Sequence, residues 1–214
     1  MLKYEKMILI SINEQKIILI QDNVKVAEYP ISTSKFGIGN DQDSYMTPLG
    51  NHVIKQKVGE HVPKNSVYKD GKFSTDIAQV DTKKALSHDL ITTRILKLDG
   101  LENGINKGKG IDSFERNIWI HGTPAEWQIG TPSSHGCIRM KNDDIIHLYN
   151  SIEVGTPVKI ELDLVEKVQN KHDAFSDRRH TFRLKDRRKK GVLDSSLWKM
   201  NNKERRKRSE RRKK

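Results

Sequence analysis

Residues 7–20 read Met-Ile-Leu-Ile-Ser-Ile-Asn-Glu-Gln-Lys-Ile-Ile-Leu-Ile, two runs rich in isoleucine and leucine divided by Asn13-Glu14. β-branched side chains suit a pleated sheet surface, and short apolar runs bounded by polar residues are strand-sized. The chain therefore opens as a β-hairpin. Val24 to Ile31 adds a third strand, closed by Pro30 and Ser32-Thr33-Ser34. Phe36 to Pro48 is loop, Thr47-Pro48-Leu49-Gly50 is a tight turn, and a strand starts at Asn51. Leu90 to Leu98, Asn117 to Ile120 and Val158 to Leu162 are further strands, and Gly100 to Gly110 is loop. Residues 56–90 have no clean period, so loops and a short helix are expected there, bordering a binding site. Only one helix is well marked. Asn142 can cap it, Asp143 and Asp144 suit its first turn, and Ile145, Ile146, Leu148 and Tyr149 follow at helical spacing. The pattern predicts a mainly β body, a barrel or sandwich, with one main helix.

Charge divides the chain. Residues 166–214 carry 20 Lys/Arg against 7 Asp/Glu, whereas residues 1–165 carry 20 against 21. The net charge of +12 thus belongs to the tail and says nothing about the body's ligand. We expect a domain over 1–165 and a basic tail over 166–214, too poor in apolar residues to bury a core and either disordered or marginally helical. No run approaches a membrane helix in length. The apolar run near Met1 is too short for a signal-peptide core, so no export signal is visible.

The chemistry gathers at Trp119-Ile120-His121-Gly122-Thr123 and Ser134-His135-Gly136-Cys137-Ile138-Arg139-Met140. Cys137 is the only cysteine, so no intramolecular disulfide can form. A thiol attacks as thiolate and needs a base beside it. His121 ends a buried strand, which would hold its ring in place. His135 lies two residues before Cys137, so the two share a side in an extended segment. N–H groups around Gly136 and Cys137 could hold an oxyanion. The same residues also admit a buried, inert thiol, or a zinc ion on His121, His135 and Cys137.

These residues resemble the catalytic domain of L,D-transpeptidases (YkuD type). The match rests on His121-Gly122-Thr123, Gly130, the Ser134–Met140 block and Asn142-Asp143-Asp144. Thr47-Pro48-Leu49-Gly50 and Gly155-Thr156-Pro157-Val158 are similar to two further family segments. The resemblance covers roughly residues 7–162 and implies a β-rich fold, no cofactor and a two-step acyl transfer on peptidoglycan stem peptides. Cys137 would be the nucleophile and His121 the general base, its ring oriented by the Gly122 carbonyl. His135 and Arg139 would support the site or bind a substrate carboxylate, and Ser134 would shape the turn. With water as acceptor the same fold would be an L,D-carboxypeptidase. The family implies the periplasm or cell envelope, while the lack of a visible export signal leaves the cytoplasm open.

Arg94 is a further candidate for a carboxylate, if its strand turns it to the cleft rather than into a salt bridge. His52 and His61 read as surface histidines. The tail could bind nucleic acid or an anionic polymer through charge, but no aromatic residues interleave with its bases for specific readout. A tail-driven binding module is thus the alternative to an enzyme.

Overall fold

The computed structural model of the chain describes residues 6–69, 71–81, 89–163 and 169–170. The strands are β1 (Lys6–Ser11), β2 (Lys16–Gln21), β3 (Val24–Ser32), β4 (Gly50–Val58), β5 (Ser66–Lys69), β6 (Lys72–Ile77), β7 (Ile91–Gly100), β8 (Trp119–Gly122), β9 (Ile138–Met140), β10 (Pro157–Glu161) and β11 (Gln169–Asn170). A 3-10 turn (Glu126–Gln128) precedes β9, and the helix α1 (Asn142–Ser151) follows it. The strands run in the order β4-β10-β1-β2-β3-β9-β8-β7, and β7 pairs back onto β4. That last pairing closes a barrel and removes the open edges that an eight-stranded sheet would leave.

The opening hairpin forms as its sequence dictates, with Ser11 opposite Lys16 and Lys6 opposite Gln21. Its outer strand then pairs in parallel with β10, matching Ile8 to Val158 and Ile10 to Ile160. Inside lie Ile8, Ile10, Ile17, Ile31, Ile54, Leu96, Leu98, Ile120, Ile138 and Met140, joined by Ile145, Leu148 and Tyr149 of α1. Period-2 alternation aims these strand residues inward, and the 3–4 spacing on α1 does the same for the helix.

Four expectations change. Pro30 does not close β3; it lies within the strand opposite Lys16, with its side chain exposed. Residues 56–90 hold strands that were not expected: β4 runs on to Val58, and β5 and β6 form a hairpin on the edge of β7, while residues 70 and 82–88, on which the expectation of loops and a short helix also falls, lie outside the described residues. This hairpin was hidden because its outer strand is exposed at nearly every position, so no alternation appears. His52 is not a surface residue. It is 1% exposed, and its ring contacts the Ser113 hydroxyl at 2.9 Å and the Gly50 carbonyl at 3.0 Å. Asn142 does not cap α1 with its side chain, since Lys141 holds the cap position. The expected basic tail, residues 166–214, lies outside the described residues apart from Gln169–Asn170, which pair with β3.

Candidate active site

The site is built on two neighbouring strands. β8 and β9 pair in parallel with His121 opposite Arg139 and Ile120 opposite Ile138. Paired residues share a face, and faces alternate along each strand. Ile120, Ile138 and Met140 point into the barrel, so Trp119, His121, Cys137 and Arg139 fall on the outer face. The thiol is therefore aligned with Trp119, one pleat from His121. On that face Tyr68, Ile95 and Trp119 make a second apolar cluster, and Cys137 packs against it. Tyr68 comes from the β5–β6 hairpin, and the turn of that hairpin brings Gly71 against the Trp119 ring. The hairpin thus desolvates one side of the thiol.

Cys137 is half-buried, and its Sγ–H donates to the Asn117 carbonyl at 3.3 Å. Burial pushes the thiol up to about 11, opposed by the Trp119 backbone N–H and by the guanidinium groups of Arg139 and Arg116. In the free protein the sulfur is therefore protonated at neutral pH and needs a base. His121 is 1% exposed, and its Nδ1 sits 2.8 Å from the Gly122 carbonyl. A carbonyl only accepts, so Nδ1 carries the hydrogen and Nε2 keeps its lone pair. Burial holds the imidazole below its ordinary value, while Asp89 and the Gly122 carbonyl raise it again. The ring is neutral at pH 7 and able to accept a proton.

The turn before β9 is tightly held. The Ser134 hydroxyl donates to the Cys137 carbonyl at 2.6 Å and accepts the Gly136 N–H at 3.3 Å. The Gly136 N–H is thereby directed to Ser134, which leaves the oxyanion role to other N–H groups of the turn. Thr47 Oγ1 donates to the Gly136 carbonyl at 3.0 Å, so the Thr-Pro-Leu-Gly turn buttresses the cysteine directly. Gly136 has φ +113°, a region that L side chains rarely enter. A Cβ there would also lie 3.3 Å from Ile118 Cδ1. Gly136→Ala should lower stability by about 1–3 kcal/mol, read from urea unfolding.

His135 and Arg139 flank the cysteine and converge on one carboxylate. Asp89 Oδ2 lies 2.8 Å from His135 Nδ1, and Asp89 Oδ1 lies 2.5 Å from an Arg139 nitrogen. The other Arg139 terminal nitrogen donates to Gln128 Oε1 at 3.0 Å and Ser133 Oγ at 3.3 Å. Desolvation raises the Asp89 carboxyl, but the charge and hydrogen bond of Arg139, with His121 and His135, hold it below its ordinary value. Arg94 is not brought to this cluster. Its guanidinium donates to the carbonyls of Val62 and Thr93 at 2.7 Å and stacks over Tyr149 of α1.

Other residues that support the site were either misread in the sequence or not singled out there. Asn142, read as a cap, is fully buried; its Oδ1 accepts from the hydroxyls of Thr92, at 2.7 Å, and Thr93. Its Nδ2 donates to the Thr123 carbonyl at 2.8 Å and Glu126 Oε1 at 2.7 Å. Thr93 itself has φ +71°, unusual for a β-branched residue. It sits where the β7–β8 register shifts between Thr92 and Ile95, so the shift places Thr92 opposite Gly122 and Ile95 opposite His121. Arg116 donates to the Met46 carbonyl at 2.8 Å and is coupled by charge to Cys137. Among the described residues no group of three His, Cys, Asp or Glu is arranged to hold a metal ion.

His52 and His121 are both held below their ordinary values, chiefly by burial. In the unfolded chain each takes up a proton near pH 6.5, before the folded chain does, so the unfolded state gains as pH falls through that value. Urea midpoints should therefore drop below about pH 6.5, by up to about 1.4 kcal/mol per pH unit for each histidine. His52→Gln should weaken that dependence.

A closed barrel thus carries a desolvated thiol, an oriented neutral imidazole and a buttressed turn, an arrangement with the parts that cysteine acyl transfer requires. Residues 5–160 match the YkuD family model, described as the L,D-transpeptidase catalytic domain, and the chain belongs to that family. It is similar to the Bacillus subtilis (strain 168) protein named "Putative L,D-transpeptidase YqjB", 44% identical over 69 residues, which are 31% of this chain and 38% of that protein. It is also similar to "Probable L,D-transpeptidase ErfK/SrfK" of Escherichia coli (strain K12), 54% identical over 41 residues, 19% of this chain and 13% of the other. The matches thus span less than half the length of these relatives. Among solved structures, an L,D-transpeptidase from Mycobacterium smegmatis is 16% identical, with 74% of this chain and 59% of that one covered at a TM-score of 0.43. Bdellovibrio bacteriovorus Bd1075 is 20% identical over 84% of this chain and 55% of that one, at a TM-score of 0.46.

Proposed function

We propose that this chain is a peptidoglycan L,D-transpeptidase working through a thioacyl intermediate on Cys137. The observation that carries this reading is the 2.8 Å contact of His121 Nδ1 with the Gly122 carbonyl, which leaves Nε2 basic on the strand face shared with Cys137. Nε2 removes the thiol proton, and the sulfur attacks the carbonyl of the third residue of a stem tetrapeptide. A C–S bond forms, and the oxyanion meets N–H donors of the turn. When it collapses, the C–N bond to the terminal D-alanine breaks, and the leaving amine takes the proton from His121. An amine acceptor then gives a proton to His121, attacks the thioester and forms an amide; the C–S bond breaks and the sulfur regains its proton. The reaction belongs in the cell envelope, where stem peptides are. Among the described residues no helix is long and apolar enough to cross a membrane.

The test is intact-mass measurement after incubation with a carbapenem, then product analysis with a stem tetrapeptide and an amine acceptor. A one-to-one adduct, loss of D-alanine and a new amide are expected. No adduct sinks the reading, and D-alanine release without amide formation makes the chain a hydrolase instead. Base assistance also predicts two different pH profiles. Alkylation by iodoacetamide needs free thiolate and should climb steadily from pH 7 to 10, because the thiol titrates at about 11. Carbapenem acylation should already be level over that range, because His121 titrates below its ordinary value.

A further inference from the structure

Among the described residues Asp89 is the one carboxylate that touches both His135 and Arg139, and it belongs to neither half of the motif. We propose that Asp89 is a positioning residue of this site, setting the ring of His135 and the guanidinium of Arg139 and, through them, the aim of Cys137. This rests on the acyl-transfer reading above.

The geometry is that of a clamp. Cys137 lies midway between His135 and Arg139 in sequence, and each flank is bound to a different oxygen of the same carboxylate, at 2.8 and 2.5 Å. Fixing both flanks fixes the short segment between them. Asp89 lies two residues before β7, so the clamp spans from the entrance of that strand, past β8, to β9. The carboxylate also decides a tautomer. It can only accept, so His135 Nδ1 carries the hydrogen and Nε2 is left for other partners. Phe36 and Tyr45, both exposed, also pack near that ring, with centroids 5.7 and 6.0 Å away. The Arg139 side chain is 5% exposed, and its two terminal nitrogens are occupied by Asp89, Gln128 and Ser133. A substrate carboxylate therefore finds neither terminal nitrogen of Arg139 free in this arrangement, and the Nε of Arg139, which has no hydrogen-bond partner among the described residues, is buried away from solvent. Arg139 is the inner anchor of the clamp rather than an anion receptor.

The charges that bear on Asp89 are Arg139, His121 and His135, and those that bear on the thiol are Asp89, Arg139 and Arg116. A negative charge at Asp89 stabilises a protonated His121 and opposes a thiolate at Cys137. Its removal has opposite consequences for the two partners: the thiol becomes more acidic, and His121 becomes a weaker base. General loosening of the turn does not separate the two in this way.

The experiment compares wild type, Asp89→Asn and Asp89→Glu, each shown folded by circular dichroism and thermal unfolding. The iodoacetamide alkylation midpoint should move to lower pH in Asp89→Asn, while carbapenem acylation slows about 10-fold, the scale typical of lost orienting partners. Asp89→Glu should recover most of the acylation rate. Unchanged profiles in a folded Asp89→Asn, or a slower acylation without the pH shift, overturn the proposal. The tautomer gives a test on the unaltered protein. Nitrogen-15 spectra of wild type should show the His135 hydrogen on Nδ1, and finding it on Nε2 overturns the clamp even if Asp89→Asn does not fold. Failure of wild type to react with the carbapenem strikes the acyl-transfer reading alone, because the alkylation profile and the tautomer do not depend on it.

Discussion

Replacing Cys137 with alanine should leave a folded barrel that releases no D-alanine from a stem tetrapeptide, with turnover down at least ~10⁴-fold from the activity proposed for the wild type. The loss should be this large because no second thiol exists in the chain, and the proposed covalent intermediate would have nowhere else to form. The structural effect is small by comparison. Cys137 is half-buried at the margin of the Tyr68–Ile95–Trp119 cluster, and its Sγ–H donates to the Asn117 carbonyl. Deleting that sulfur costs about 1 kcal/mol or less. Cys137→Ser is equally informative. A hydroxyl is a far weaker acid than the thiol, so His121 has a harder proton to take, and activity stays near the alanine level. Turnover is followed by D-alanine release and stability by thermal unfolding. An alanine variant that still turned over within tenfold of wild type would place the chemistry on another residue.

Asn142→Ala should produce the largest loss of stability, about 3–5 kcal/mol in urea unfolding. The side chain is fully buried and answers four groups on three segments: the hydroxyls of Thr92 and Thr93, the Thr123 carbonyl and the Glu126 carboxylate. Truncation strands them away from water, at about 1–3 kcal/mol for each left unsatisfied. The Glu126 carboxylate keeps the Asn142 backbone N–H at 2.8 Å, so it is only partly orphaned. Activity should fall with stability, because Thr92 pairs with Gly122, whose carbonyl orients His121. Asn142→Asp keeps the acceptor but loses the amide donor and sets a second carboxylate beside Glu126. It should fare no better than alanine, and a variant within 1 kcal/mol of wild type would show that water fills the gap.

How much of this was legible in the sequence depended on range. The β1–β2 hairpin, β7, β8 and α1 announce themselves through local periodicity and flanking polar residues. The roles proposed for His121, Gly122, Ser134 and Cys137 rest on the family resemblance carried by two short segments. Asp89 could not be found that way. It sits in the stretch without period, and it meets Arg139 only because the strand order places β8 between β7 and β9. Thr47 looked like part of a turn, and its hydroxyl reaches Gly136 across 89 positions of chain. Asn142 misled for a physical reason. A helix-start asparagine suits a cap, but the buried threonines of β7 bind its side chain instead. Arg94 was open to either reading until the register shift beside Thr93 turned it toward Tyr149.

The parallel pairing of β1 with β10 has a consequence for synthesis. Ile8 must wait for Val158 to be made before its outer flank is covered, a separation of about 150 positions. Contacts this distant along a chain are slow to form. While the polypeptide is still emerging from the ribosome, the first hairpin carries an unpaired edge, and β4 likewise lacks the neighbour that β10 gives it. The ring can shut only after Glu161 has left the exit tunnel. Until then the cysteine-bearing turn exists without the finished wall behind it, so the surroundings that would tune the thiol assemble only once the ring has shut.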